Sequence, residues 1–149
     1  MKKILYNRPD GGLSIIKPII SQDDPAGFTE QQALERALVK DVPSYAINVR
    51  VVDNLNFADK TFRNAWVDAG ITDMPKARTI HRDNLRALRA PKFGPLDIEW
   101  MKYITTGDAV RAAFTEAKRQ ALRDALAFSG IDSAQTPEEL KTAIPDCLK

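Results

Sequence analysis

The amino-acid sequence predicts an α+β fold, in which a small mixed head is followed by an antiparallel helical tail. Three observations predict it. β-forming residues alternate with turn residues in the first third of the chain, apolar residues recur at helical spacing through the second half, and capping motifs precede helical stretches. We expect a head over residues 1–66 and a helical hairpin or bundle over 67–149.

The head is predicted to contain a β-hairpin, a helix and a third strand. The hairpin spans residues 3–18, and its turn at 9–12 combines a proline that presets φ with glycines that accept positive φ. Thr29 begins a helix that extends to about residue 40, with Gln32 completing a capping box. Residues 45–52 are rich in β-formers and indicate the third strand, after which Asn54-Leu55-Asn56 turns the chain.

Four helices are predicted in the tail. Proline ends or begins two of them, and capping residues begin the others. Because the connections are short, consecutive helices are expected to pack as antiparallel neighbours. The predicted spans are 72–88, stopped by Pro91; 95–107, opened by Pro95 and ended by Gly107; 108–130, capped by Asp108 and stopped by Ser129-Gly130; and a short helix from Thr136 that ends before Pro145.

Composition excludes several classes of protein. The apolar fraction of 44% and the charged fraction of 28% are typical of a soluble globular protein. A net charge of +2 gives no general attraction to nucleic acid or to membranes. No apolar stretch approaches the length of a transmembrane helix, and the apolar run after Lys2 and Lys3 is too short for a signal peptide. With a single cysteine and no internal disulfide, the chain is expected in a reducing, intracellular compartment.

Residues that could carry catalysis are few. His81 and Cys147 are the only histidine and cysteine, and neither has a base, a nucleophile or a second metal ligand nearby in the sequence. His81 is expected to be a surface residue on a basic helix. The sequence therefore predicts a protein that is not an enzyme and that uses no cofactor or metal.

A basic ridge is the most distinctive charged feature. The window 76–92 holds six cations against a single acid, and Arg78, Arg82 and Arg86 are spaced by four, with Arg89 three further on. On a helix these four positions form one continuous ridge. Such a ridge fits the acidic surface of another protein, the phosphates of a nucleic acid, or the carboxylates of neighbouring helices in the same chain.

Two aromatic pairs recur at helical spacing. Phe62 and Trp66 are four residues apart, and Trp100 and Tyr103 are three apart. Core packing is the usual role of such pairs, whereas an exposed member would be an anchor of an interface, since Trp and Tyr are enriched at binding hot spots. We therefore count these four residues, together with the four arginines, as candidate interface residues.

Several short segments resemble known sequences when taken in order. There are six such segments. The first four, between residues 8 and 99, resemble a family of small proteins encoded by tailed phages and prophages. The last two, between residues 120 and 141, are similar to the C-terminal pattern of phage tail-fibre assembly proteins. The chain departs from the assembly-protein pattern after Asp124, where it continues through 125–130 into a further capped helix. The segments are Arg8 to Gly12, Thr61 to Trp66, Lys76 to Asp83, Leu96 to Glu99, Gln120 to Asp124 and Thr136 to Lys141.

The resemblance implies a virion-associated structural or assembly protein of the phage tail region that acts by protein–protein contact. It carries over no catalytic or metal-binding residue. The expected partners are other virion or tail proteins and further copies of this chain, and the expected locations are the host cytoplasm during assembly and the virion. Two alternatives stay open: a tail-fibre assembly chaperone absent from the mature particle, and a nucleic-acid-binding regulator that uses the basic helix 76–92.

Overall fold

The chain has the predicted α+β class. The computed structural model describes residues 2–53, 60–68 and 70–149. The chain divides into two compact units, 1–73 and 74–149, so the helical part begins a few residues later than expected. The predicted turn at Asn54-Leu55-Asn56 lies outside the described residues.

A three-stranded antiparallel sheet forms the frame of the first unit, with β1 in the centre between β2 and β3. The predicted hairpin is confirmed, with Leu5 opposite Ile15 and Ile4 opposite Ile16. Its turn contains Gly11 at φ 77°, a conformation that glycine adopts without steric cost. The strands are β1 (Lys3–Asn7), β2 (Leu13–Ile16) and β3 (Ile47–Val52).

One face of this sheet is covered by helix α1 (Glu30–Lys40). The predicted capping box is confirmed: the backbone N–H of Gln32 donates to the Thr29 hydroxyl, and the backbone N–H of Thr29 donates to the Gln32 side chain at 2.9 Å. Leu34 and Ala37 of α1 pack on Ile4 of the central strand. The capping box at Thr29 therefore sets the start of the helix, and its apolar residues pack it against the sheet.

The opposite face of the sheet carries a second apolar cluster. Trp66 packs on Leu5 and Leu13, and Ile15 and Val52 border the contact. The tryptophan opens a short strand, β4 (Trp66–Asp68), that pairs antiparallel with β5 (Ile71–Thr72). The first unit is thus a small sheet with apolar contacts on both faces.

The second unit is organised by a long helical hairpin. Helix α2 (Met74–Thr105) has 32 residues, which corresponds to about 48 Å of rise. Gly107, at φ 72°, reverses the chain, and Asp108 caps α3 (Ala109–Asp124) by accepting from the Arg111 backbone N–H at 3.1 Å. Asp97 meets Arg119 and Arg89 meets Leu122, so the two helices are antiparallel, as expected.

The predicted break between 88 and 95 is wrong, because α2 continues through Pro91 and Pro95. Proline removes the hydrogen bond to the residue four positions earlier, which leaves the carbonyls of Ala87 and Pro91 without their helical donors. Ala87, Pro91 and Pro95 are all exposed, so water can satisfy these carbonyls. Packing against α3 offsets the remaining cost of the prolines.

Short helical segments close the second unit. They are a 3-10 turn (Ala125–Ala127), α4 (Ser129–Ser133), α5 (Pro137–Thr142) and a final 3-10 turn (Asp146–Leu148). Ser129-Gly130 begins α4, so the predicted stop there is wrong; Phe128, with ψ 120°, breaks the chain direction instead. Thr136 caps α5 as expected. The fully buried residues of this unit include Leu85, Ile131 and Leu140.

Candidate protein interface

The predicted basic ridge faces the C-terminal part of its own unit. Arg78, Arg82 and Arg89, together with Lys92, donate hydrogen bonds to backbone carbonyls, and Arg82 also contacts Asp132 at 2.6 Å. The carbonyl contacts are Arg78 to Ala134 at 2.9 Å, Arg82 to Leu126 at 3.3 Å, Arg89 to Leu122 and Arg123 at 3.1 Å each, and Lys92 to Cys147 at 3.1 Å.

These carbonyls share a structural position, since each lies at or near the C-terminal end of a helical segment. The last carbonyls of a helix have no partner within it, and cationic side chains stabilise them by hydrogen bonding and by opposing the helix dipole. Three of the four ridge arginines therefore hold the second unit together. Arg86 differs: its side chain is 54% exposed and pairs with Asp83 on the same helix.

His81 is buried, so the expectation of a surface histidine is wrong. The residue is 5% exposed, and its Nε2 lies 3.0 Å from the carbonyl oxygen of Ala143. Ala77, His81 and Leu85 are spaced by four and form the buried stripe at the start of α2. That spacing was the available signal, and the flanking charges obscured it.

The aromatic candidates pack within the units. Phe62 and Trp66 are 4% and 7% exposed, which favours the core alternative for both. Trp100 and Tyr103 are half-buried in the hairpin, where the Arg119 guanidinium lies 4.7 Å from the Trp100 ring. Burial, followed by the hydrogen bond to Glu99, raises the pKa of the Tyr103 hydroxyl. None of the four is an exposed anchor.

An ionic network joins the two helices of the hairpin. Arg119 contacts Asp97 at 2.7 Å and also Glu116, which in turn accepts from Arg123. Burial acts to raise the pKa of the Glu116 carboxyl, but hydrogen bonds from Arg123 and Arg119 outweigh it and hold the pKa below its ordinary value. The network keeps α2 and α3 in register on their polar side.

Helix α3 has a second apolar face that the packing of the second unit does not use. Ala112, Thr115 and Leu122 are buried, while Val110 is 82% and Phe114 is 64% exposed. At 100° per residue the exposed set lies opposite the buried set. We call the exposed set the outward face, and it consists of Val110, Ala113, Phe114, Ala117 and Ala121.

The outward face has a charged border and a neighbouring groove. Arg111 and Lys118, seven residues apart, lie along one side of it, and the Lys118 ammonium is 4.5 Å from the centre of the Phe114 ring. At Ala121 the face meets a groove of about 600 Å³ between the two helices. The groove is lined mostly by apolar side chains, including Pro91, Pro95, Leu96 and Leu122.

Val110, Phe114, Ala117, Ala121 and Leu122 all recur at helical spacing in the sequence. The structure separates them, because Leu122 belongs to the packed side with Ala112 and Thr115. The signal that distinguishes the two faces is the spacing of 112, 115 and 122, which defines a stripe of its own.

The comparisons with known proteins add no relative. No known protein family, no curated protein and no solved structure matches the chain. Across the part of the chain that the structure describes, no helix is long and apolar enough to cross a membrane. Within the same residues, no group of three or more His, Cys, Asp or Glu side chains is arranged to hold a metal ion.

Proposed function

We propose that this chain acts by protein–protein contact, as a virion-associated structural or assembly protein of a phage tail, and that the outward face of α3 is its contact surface. The observation that carries the proposal is the exposure of Val110 and Phe114 on the side of α3 opposite its packed side. The phage setting is supported by the resemblance of the sequence segments alone.

An apolar stripe on a helix that already has a packed side favours a binding role. Single exposed apolar residues are common on proteins, but a helix of a small unit normally presents charged and polar residues to water. On the outward face, a phenylalanine and a valine stand among three exposed alanines. Small residues around a large aromatic let another helix approach closely, and aromatic residues are enriched in interfaces.

The border of the outward face indicates the chemistry of the partner. Arg111 is 70% exposed and pairs with Asp108 at 3.5 Å, whereas Lys118 makes no ion pair with any residue that the structure describes. An amphipathic helix whose apolar stripe is flanked by Asp or Glu would match both the stripe and these cations. Two copies of α3 paired antiparallel would instead bring the same cationic borders together, which disfavours that pairing of two copies.

The same geometry lends less support to the other candidate roles. His81 Nε2 lies 3.0 Å from the Ala143 carbonyl oxygen, and the Cys147 thiol donates to the Ala121 carbonyl, so both side chains contact the backbone, which supports a structural role for each. A nucleic-acid-binding regulator would need free guanidinium groups along 76–92, and three of the four arginines there donate to carbonyls. An assembly chaperone would use the same outward face and would differ only in being absent from the finished particle.

Quantitative mass spectrometry of purified particles, and of the cells that produce them, tests the proposal. A fixed copy number in particles supports a virion component. Presence in producing cells in complex with a tail protein, and absence from particles, supports the chaperone. If the chain copurifies with no phage structural protein in either sample, the proposal is overturned.

A substitution pair links the outcome to the surface. Phe114→Asp should remove the chain from particles or from the tail-protein complex, because it places a charge in the apolar stripe. Tyr45 is an aromatic residue of the first unit that is 55% exposed. Tyr45→Asp should therefore leave the chain in particles or in the tail-protein complex. Equal behaviour of the two variants would exclude the outward face as the contact surface.

A further inference from the structure

A basic pocket lies in the first unit, on the sheet face that carries Trp66. It has a volume of about 360 Å³ and is lined by residues of β1 and β2, by Lys17 after β2, and by Lys60, Arg63 and Trp66. This volume is within the range of sites that bind small molecules. The pocket shares no residue with the outward face of α3, so the inference does not rest on the proposed function.

Strand alternation brings the first two cations together. Leu13, Ile15 and Lys17 lie at alternate positions and therefore face the same side, as Lys3 and Leu5 do on the neighbouring strand. Ile4 pairs with Ile16, and the next residues outward, Lys3 and Lys17, both line the pocket at this end of the two strands.

Two further cations complete the charge of the pocket. Lys60 and Arg63 line it from the segment before β4, and none of the described residues that line it is acidic. Among the described residues, Lys17, Lys60 and Arg63 make no ion pair. Other arginines of the same unit do have acidic partners, since Arg36 pairs with Asp24 and Arg50 with Asp68.

The floor of the pocket is apolar. Leu13 and Trp66, 4% and 7% exposed, form it together with Ile15. A ligand that satisfies the whole site therefore combines several negative charges with an apolar or aromatic part. The negative charges of the ligand must lie close together, because four cations line a pocket of only about 360 Å³.

We propose that this pocket binds a phosphorylated ligand of the nucleotide type, with its phosphates among the four cations and its base or sugar against the apolar floor. A phosphate carries up to two negative charges and three acceptor oxygens on one atom. Carboxylates of an acidic peptide carry one charge each and are held apart by their side chains, so they match the pocket less well. The phosphates can belong to a free nucleotide or to the end of a single-stranded nucleic acid.

Calorimetric titration of the full chain at low salt tests this proposal with four probes: ATP, inorganic pyrophosphate, a 5′-phosphorylated single-stranded oligonucleotide and hexaglutamate. Saturable binding of ATP that is tighter than that of pyrophosphate supports the site and its apolar floor. Tighter binding of the oligonucleotide than of ATP assigns the phosphates to a nucleic acid strand, and the reverse assigns them to a free nucleotide. The proposal is overturned if neither ATP nor the oligonucleotide shows saturable binding. It is also overturned if hexaglutamate binds at least as tightly as ATP and the oligonucleotide.

The double variant Lys60→Gln with Arg63→Gln should weaken ATP binding at least ~10-fold. It should also lower the slope of log affinity against log salt concentration by about two, one for each lost phosphate contact. Lys40→Gln, on the exposed end of α1, is the matched control and should leave affinity within about twofold, because a distant exposed charge is screened by salt. Unchanged affinity in the double variant would contradict the assignment.

A stability measurement without ligand gives an independent readout. Lys17→Gln removes a cation that makes no ion pair among the described residues, so it should not lower the urea midpoint of the ligand-free chain, while it weakens ATP binding. A lower midpoint together with unchanged ATP affinity would mean that the cations are held by structural contacts and serve no ligand.

Discussion

The assignment of the basic ridge to internal packing makes a quantitative prediction about Arg89. Its guanidinium donates to the carbonyls of Leu122 and Arg123 at the end of α3, both at 3.1 Å. A hydrogen bond to a charged group contributes about 1.5–3 kcal/mol, and water can partly replace it at these part-exposed carbonyls, so Arg89→Met should cost about 2 kcal/mol. Methionine keeps an unbranched apolar stem like that of arginine, so the main loss is the guanidinium.

Arg86→Met is the matched control, because it makes the same change three residues earlier on the same helix. Arg86 pairs only with Asp83 in the described part of the chain, and its side chain is 54% exposed. An exposed ion pair of this kind contributes about 0.3–0.5 kcal/mol. Urea unfolding of both variants, followed by circular dichroism, compares the two losses directly.

The result that would refute this reasoning is equal stability of the two variants. It would mean that the carbonyl contacts of Arg89 do not stabilise the second unit. A loss of nucleic-acid affinity in Arg89→Met with no loss of stability would favour the regulator hypothesis instead.

Three further predictions follow from the same contacts. Leu122→Ala, at a residue that is 2% exposed, should cost about 2–5 kcal/mol of stability, whereas Phe114→Ala should change it by no more than about 0.5 kcal/mol, as measured by urea unfolding. The lowered pKa of Glu116 means that its stabilising contribution is complete above its ordinary value of 4.5 and is lost as the pH falls through the lower folded value. Acid unfolding of Glu116→Gln should therefore depend less on pH below 4.5 than that of the parent chain, and an identical dependence would contradict the role of the network. Thr29→Ala should lower stability by about 1 kcal/mol through loss of the α1 cap, and an unchanged urea midpoint would show that the capping box is dispensable.

Local signals in the sequence were sufficient for much of the fold. The hairpin turn and the caps at Thr29, Asp108 and Thr136 depend on residues within a few positions of one another, and all are found as predicted. The continuation of α2 through Pro91 was not predictable in this way. It depends on the exposure of the proline and on packing against α3, which are tertiary properties.

The candidate site was harder to predict, because charge and apolarity do not reveal what a residue faces. The arginine ridge has the sequence pattern of a binding surface, yet Arg78 and Arg82 reach carbonyls more than 40 residues away. Conversely, Phe114 has the spacing of a core residue and is 64% exposed. Both outcomes depend on which side of each helix is covered by the rest of the second unit. Periodicity within a helix shows which residues share a side, but it does not show which of two such sides is covered.

Site-specific photo-crosslinking at position 114 tests the central claim most directly. A benzoylphenylalanine in place of Phe114 preserves an aromatic on the outward face, and the same group in place of Tyr45 is the control. In cells that produce particles, we expect the group at 114 to crosslink to a helical segment of another tail or virion protein, with acids beside its apolar stripe, and the group at 45 not to do so. Crosslinks from 114 that go only to nucleic acid or to further copies of this chain, or that are no more frequent than those from 45, would contradict the claim.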